Sequence, residues 1–212
     1  MKRRQMRLGV ALVLVLGAGC SNLPPPMVGD PGPQLGESTA DAEYRALVDR
    51  YSAQKQVFSG FDTILFGGVT YESPAFREGR IRRKDAFQLQ PPEKLEKDLQ
   101  VERAEAAQYY EFMLGAYVQN PRFDDFDLKD SIWHIGLVTP VGEAVPVQIQ
   151  RVGKANVNTR AYYPYMGDFR TVYRVRFPRT LGSQPLVTPE MRTFTFVLAS
   201  SVGRAEFKLP AQ

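Results

Sequence analysis

The 212-residue chain carries 27 Lys and Arg against 23 Asp and Glu, with one His and one Cys. A single thiol and a single imidazole cannot supply a disulfide or the four Cys and His ligands of a structural zinc site. The net charge of +4 is concentrated at the start: Lys2, Arg3, Arg4 and Arg7 account for four of the 27 cations, and without them 23 face 23, which removes the electrostatic case for nucleic-acid binding.

In chain order, Met1 to Arg7 is basic, Leu8 to Leu16 is aliphatic apart from Gly9, and Gly17, Ala18 and Gly19 lead to Cys20. A basic stretch, a short apolar run and a small-residue cleavage site make an export signal over residues 1–19. The apolar run falls short of the roughly 20 residues that a membrane-spanning helix requires. Leu16-Gly17-Ala18-Gly19-Cys20 resembles the lipobox of bacterial lipoprotein precursors. In that family a dedicated peptidase cuts before a cysteine that has first received a diacylglycerol. The usual pattern sets an aliphatic residue three positions before the cysteine; here Gly17 stands there and Leu16 one place earlier. The resemblance implies fatty acids, such as palmitate, on Cys20 and a protein held in the bacterial envelope. By the sorting rule of similar lipoproteins, Ser21 fits the periplasmic face of the outer membrane. The only cysteine is thereby consumed, and no other cofactor is expected.

Residues 20–39 hold Pro24, Pro25, Pro26, Pro31 and Pro33 among glycines. So polar a segment cannot bury enough surface to offset its ordering entropy, so a disordered tether is expected. Extended like polyproline, it reaches about 60 Å. Residues 40–212 suit one domain.

Asp41 to Phe58 predicts an amphipathic helix with Tyr44, Leu47, Val48, Tyr51 and Phe58 on one stripe. A strand follows over Ile64 to Tyr71, with Gly67-Gly68 as its expected bulge. Residues 73–108 form a helical insertion, with a helix that opens at Pro91-Pro92, where missing N–H groups are tolerated, and runs to about Tyr109. Strands are then predicted at Glu111 to Val118, Ile132 to Val138, Val145 to Ile149, Arg170 to Phe177, Phe194 to Leu198 and Ala205 to Leu209. The turn residues Pro140 and Gly142 make a hairpin of the Ile132 and Val145 strands. These seven alternating strands predict a mainly β fold: an antiparallel sandwich, immunoglobulin-like in architecture, with an N-terminal helix and the helical insertion. Trp133, Phe196 and Phe207 belong to its core.

The candidate sites are few. Asp124, Asp125, Asp127 and Asp130 crowd one loop and are weak ligands for Ca²⁺, which takes six to eight oxygens; the spacing lacks the glycine and terminal glutamate of an EF-hand. His134 has no recognisable nucleophile or orienting group, so no catalytic triad is expected. Arg80, Arg82, Arg83 and Lys84 form the densest basic run, able to meet anionic headgroups, or else a solvated helix face or a partner for the acidic loop. Tyr162, Tyr163 and Tyr165 surround Pro164 and offer an aromatic binding patch, although tyrosines of such folds more often pack inward. Residues 20–150 carry 13 cations and 20 anions, and residues 151–212 carry 10 and 3, so the two parts are expected to complement each other on folding. The expected function is a membrane-anchored, non-enzymatic binding or assembly module with an envelope protein as its partner. The alternative is a glycan-directed hydrolase working through carboxylates drawn from Glu111, Asp124, Asp125 and Asp127, which would need two of them about 5–10 Å apart in a cleft.

Overall fold

A computed structural model describes residues 39–212 of the chain. Cys20, the expected leader and almost all of the tether lie outside the described residues. Helix α1 (Thr39–Tyr51) leads into β1 (Ser52–Ser59) and β2 (Asp62–Tyr71). The helix pair α2 (Pro74–Gln88) and α3 (Pro92–Gln108) follows, then β3 (Tyr109–Val118). After a 3-10 turn at Pro121–Phe123 come β4 (His134–Thr139), β5 (Gly142–Ala144), β6 (Gln148–Lys154), the short helix α4 (Val157–Tyr162) and β7 (Thr171–Pro178). The two-residue strands β8 (Thr180–Leu181) and β9 (Gln184–Pro185) precede β10 (Thr193–Ser200) and β11 (Gly203–Pro210).

The fold is mainly β, built of antiparallel sheets, with no closed barrel among the described residues. One sheet runs β1-β2-β3-β7-β6 and a second runs β11-β10-β4-β5, while β8 and β9 pair by themselves. The two larger sheets share a core. Phe112 of β3 has its ring centroid 5.6 Å from Phe194 and 5.2 Å from Phe196, both on β10, and Phe177 of β7 lies 5.9 Å from Phe196. Edge-to-face and tilted pairs of this kind are favoured by the ring quadrupoles beyond the area they bury. The alternation read from β7, β10 and β11 explains this packing: Tyr173, Val175, Phe177, Phe194, Phe196, Ala205, Phe207 and Leu209 are all buried. Trp133 is buried as well, stacked 5.2 Å from Phe126 and donating its indole N–H to the Phe123 carbonyl at 2.8 Å.

The structure departs from the sequence expectation at three places. The predicted helix Asp41 to Phe58 stops at Tyr51, because Ser52–Ser59 pairs residue by residue with β2, from Ser52 opposite Thr70 to Ser59 opposite Asp62. Tyr44, Val48 and Tyr51 stay on the buried stripe, whereas Phe58 is exposed. Gly67 and Gly68 do not bulge: the register runs regularly through them, and the irregularity lies nearer the hairpin, where Ile64 of β2 is passed over between the pairs Val57–Leu65 and Phe58–Thr63. The glycines instead make room, since a Cβ on Gly67 would stand 2.9 Å from Phe207 and one on Gly68 2.5 Å from the Tyr165 ring. Third, β4 forms its hairpin with Gly142–Ala144 only. The chain then crosses to the other sheet, where β6 pairs with β7 along Gln148 opposite Arg176 to Lys154 opposite Thr171. With β1 and β5 added to the seven predicted strands, the two larger sheets hold nine.

Candidate functional site

The densest chemistry lies where the helix pair meets the end of β2 and the start of β3. Ser73 caps α2 by accepting the Phe76 N–H at 3.1 Å, and Pro74 takes the first helical position, so the helix starts directly after the strand. This fixes Glu72 at the junction and sets Arg77 and Arg80 one turn and two turns into α2. Glu72 and Arg77 are each 2% exposed, and Glu111 of β3 is 4% exposed.

Arg77 donates to the Glu72 carbonyl at 3.0 Å and to Glu102 of α3 at 2.6 Å, and its third nitrogen lies 3.2 Å from Glu111 without hydrogen-bond alignment. Arg80 bridges Glu72 at 3.2 Å and Glu102 at 2.8 Å. Tyr163 donates its hydroxyl to Glu72 at 2.5 Å. Glu111 receives Arg176 of β7 at 2.5 Å and lies 3.6 Å from Arg174, while Arg176 also reaches Glu105 at 3.3 Å. Burial pushes the Glu72 carboxyl up despite Arg80 and Arg77. At Glu102 burial acts the same way, but the two guanidiniums prevail and hold the carboxyl below the usual range. Arg77 and Arg80 resist the effect of burial because the carboxylates around them keep both charged. Four glutamates face four arginines in a cluster that bolts the helix pair to the sheet. Charges so deep need such mutual satisfaction, because an unpaired one costs several kcal/mol of desolvation.

The basic run therefore is not a free patch. Arg80 turns into the cluster, Arg82 pairs with Glu78 at 2.6 Å, Arg83 pairs with Asp41 while lying over the rings of Tyr44 and Phe87, and Lys84 pairs with Asp98 at 3.2 Å. Only Arg82 finds its acid at helical spacing; the acids that meet Arg80, Arg83 and Lys84 come from the β2 end, α1 and α3.

The tyrosines around Pro164 lie largely inside the fold. Tyr163 is 5% and Tyr165 8% exposed, and Tyr162 is half-buried with its carbonyl accepting the Tyr44 hydroxyl at 2.9 Å. Tyr163 stacks on Phe76 at 5.9 Å. Tyr165 shares a hydrogen bond with the Thr70 hydroxyl at 2.6 Å and lies over Gly68. The α4 segment is thus a cover laid on the outer face of the five-stranded sheet, with Met166 over Gly115. The signal was present in the sequence, for glycine inside a strand marks close approach by another group.

The acidic loop is also engaged. Asp124 accepts the Tyr173 hydroxyl at 2.6 Å and the Thr171 hydroxyl at 2.7 Å, and both Asp124 and Asp127 pair with Arg151, at 3.4 and 3.3 Å. Asp125 accepts from the Ser131 hydroxyl and the Ile132 N–H at 3.0 and 3.2 Å, and Asp130 is exposed. Among the described residues no three acidic, His or Cys side chains gather as metal ligands do. The ion pairs of Asp124 and Asp127 with Arg151, and of Glu111 with Arg174 and Arg176, join the acidic part of the chain to its basic part. His134 is exposed on β4 and meets Glu143 at 2.8 Å, across the space left open by Gly136. No described helix is long and apolar enough to cross a membrane. Comparison with protein-family models, with curated proteins and with solved structures finds no match to this chain.

Proposed function

We propose that this chain is the precursor of a bacterial envelope lipoprotein, and that its exported body is a non-enzymatic binding or assembly module attached through fatty acids on Cys20. The observation that carries the reading is the N-terminal order of basic run, aliphatic run, Gly17-Ala18-Gly19 and sole cysteine. Ser21 agrees with attachment to the outer membrane, on its periplasmic side. The body is a β-sandwich, immunoglobulin-like in the loose architectural sense, and the ring contacts of Phe112 and Phe177 with β10 support the face-to-face arrangement. Its partner is an envelope protein.

The engagement of the carboxylates favours binding over hydrolysis. Glu111 is taken up by three arginines, and Asp124 by two hydroxyls and Arg151. A general acid or base must instead be able to reach a substrate proton.

Metabolic labelling with a palmitate analogue tests the anchor. The unsubstituted protein should label, and Cys20→Ala should lose the label and persist as unprocessed precursor. Undiminished labelling of Cys20→Ala would remove the basis of the reading.

A further inference from the structure

One end of the five-stranded sheet gathers exposed aromatic side chains. There the β1–β2 hairpin turns at Gly60, which takes φ +61°, and Phe61 beside it is fully exposed. Ser59 pairs with Asp62, so Phe61 stands at the outermost point of the hairpin. Behind it a row of rings crosses the outer face: Phe58, 53% exposed, lies edge-on to Phe66 at 6.4 Å, and Phe66 lies 5.9 Å from Tyr117 of β3. The register brings the other strands to the same end. Phe66 is opposite Tyr117, the next pair Ala116–Thr171 opens β7, and Thr171 is opposite Lys154, the last residue of β6. Phe169, 75% exposed, therefore sits at this end too, its carbonyl held by the Lys154 ammonium at 3.1 Å. The cover formed by Tyr165 and Met166 reaches Gly68 and Gly115 and leaves Phe58 and Phe61 bare.

The geometry points to this sheet end as a membrane-contact tip, in which Phe61, Phe58 and Phe169 enter the interface of the phospholipid bilayer that carries the anchor. The inference rests on the lipoprotein reading. Two features favour a bilayer as the occupant. Phe61 projects from a hairpin turn, and apolar rings with a cation close to one of them, as Lys154 is to Phe169, suit the boundary between headgroups and acyl chains. The chain between Cys20 and Thr39, where the described fold begins, can span about 60 Å, twice the length of a twenty-residue helix, so the anchor permits the tip to reach the surface. Tethering also raises the effective concentration of the tip at that surface, so a weak individual affinity suffices.

The test uses the full chain as cells process it, with its fatty acids, reconstituted into vesicles of phosphatidylethanolamine and phosphatidylglycerol with brominated acyl chains. Phe61→Trp is compared with Leu89→Trp, also exposed, at the end of α2, after subtraction of the Trp133 signal. The proposal expects the brominated lipid to quench the Phe61→Trp emission about twofold or more and to leave Leu89→Trp unchanged. Vesicle flotation reports the anchor separately. Protein that floats with Phe61→Trp unquenched overturns the tip and leaves the anchor standing, whereas protein that lacks fatty acids and does not float removes both. Emission changes that follow protein concentration and ignore the brominated lipid would assign the tip to a second copy of the chain, and that too overturns the proposal.

Discussion

Replacing Arg77 with methionine should loosen the attachment of the helix pair to the sheet. Methionine fills much of the space of the arginine stem but removes a guanidinium that is 2% exposed and meets Glu102 at 2.6 Å, the Glu72 carbonyl at 3.0 Å and Glu111 at 3.2 Å. Removing one partner of a buried ion pair costs about 3–5 kcal/mol, chiefly because the opposite charge stays buried without compensation. Here Glu102 keeps Arg80 at 2.8 Å and Glu111 keeps Arg176 at 2.5 Å, which argues for the lower end, about 3 kcal/mol. At about 2–4 °C per kcal/mol for a chain of this size, the melting temperature should fall by roughly 6–12 °C. Urea denaturation provides the free energy, with an unchanged m-value as the check that the two end states are still comparable. Arg82→Met is the control, since its pair with Glu78 is on the surface, with the arginine side chain 58% exposed, and it should change stability by no more than about 0.5 kcal/mol. Equal effects of the two substitutions, or a loss below about 1 kcal/mol for Arg77→Met, would refute the view that this cluster fastens the helices.

Glu102→Gln should destabilise the protein at neutral pH and do so progressively less in acid. The folded carboxyl titrates below its unfolded value of about 4.3, so its contribution is present above that pH and fades as the pH falls through the folded value. Glu72, raised by burial, contributes with the opposite sign, and because it shares Arg80 and Arg77 with Glu102 the difference between the denaturation curves reports the two carboxyls together. Gly68→Ala should cost about 1–3 kcal/mol in thermal unfolding, because the new methyl group would stand 2.5 Å from the Tyr165 ring and force the cover away. Trp133 fluorescence should resist iodide quenching several-fold relative to an open peptide, and free quenching would contradict its stacking on Phe126.

Periodicity by itself determined the strands whose two faces differ most. Phe194, Phe196 and Leu198 alternate with smaller groups, as do Ala205, Phe207 and Leu209 with charged ones, and a one-residue slip would turn either set to water. The helix α3 was legible because Pro91-Pro92 is a start signal that acts locally, whereas α2, capped by Ser73, was read only as part of a helical insertion. Tertiary structure alone decided the rest. Ser52–Ser59 has weak strand propensity and becomes a strand because β2 offers it a partner along its length. The departure of β6 from β4 to β7 depends on which sheet edge is open, and that is a property of the assembled fold. The candidate site divides in the same way. Arg80 and Tyr163 have the composition of surface groups, and only the meeting of residues 72, 80, 102 and 163, distant in sequence, turns them into a buried cluster. Residue type records what a side chain is able to do, while long-range contacts decide whether solvent or another side chain receives it.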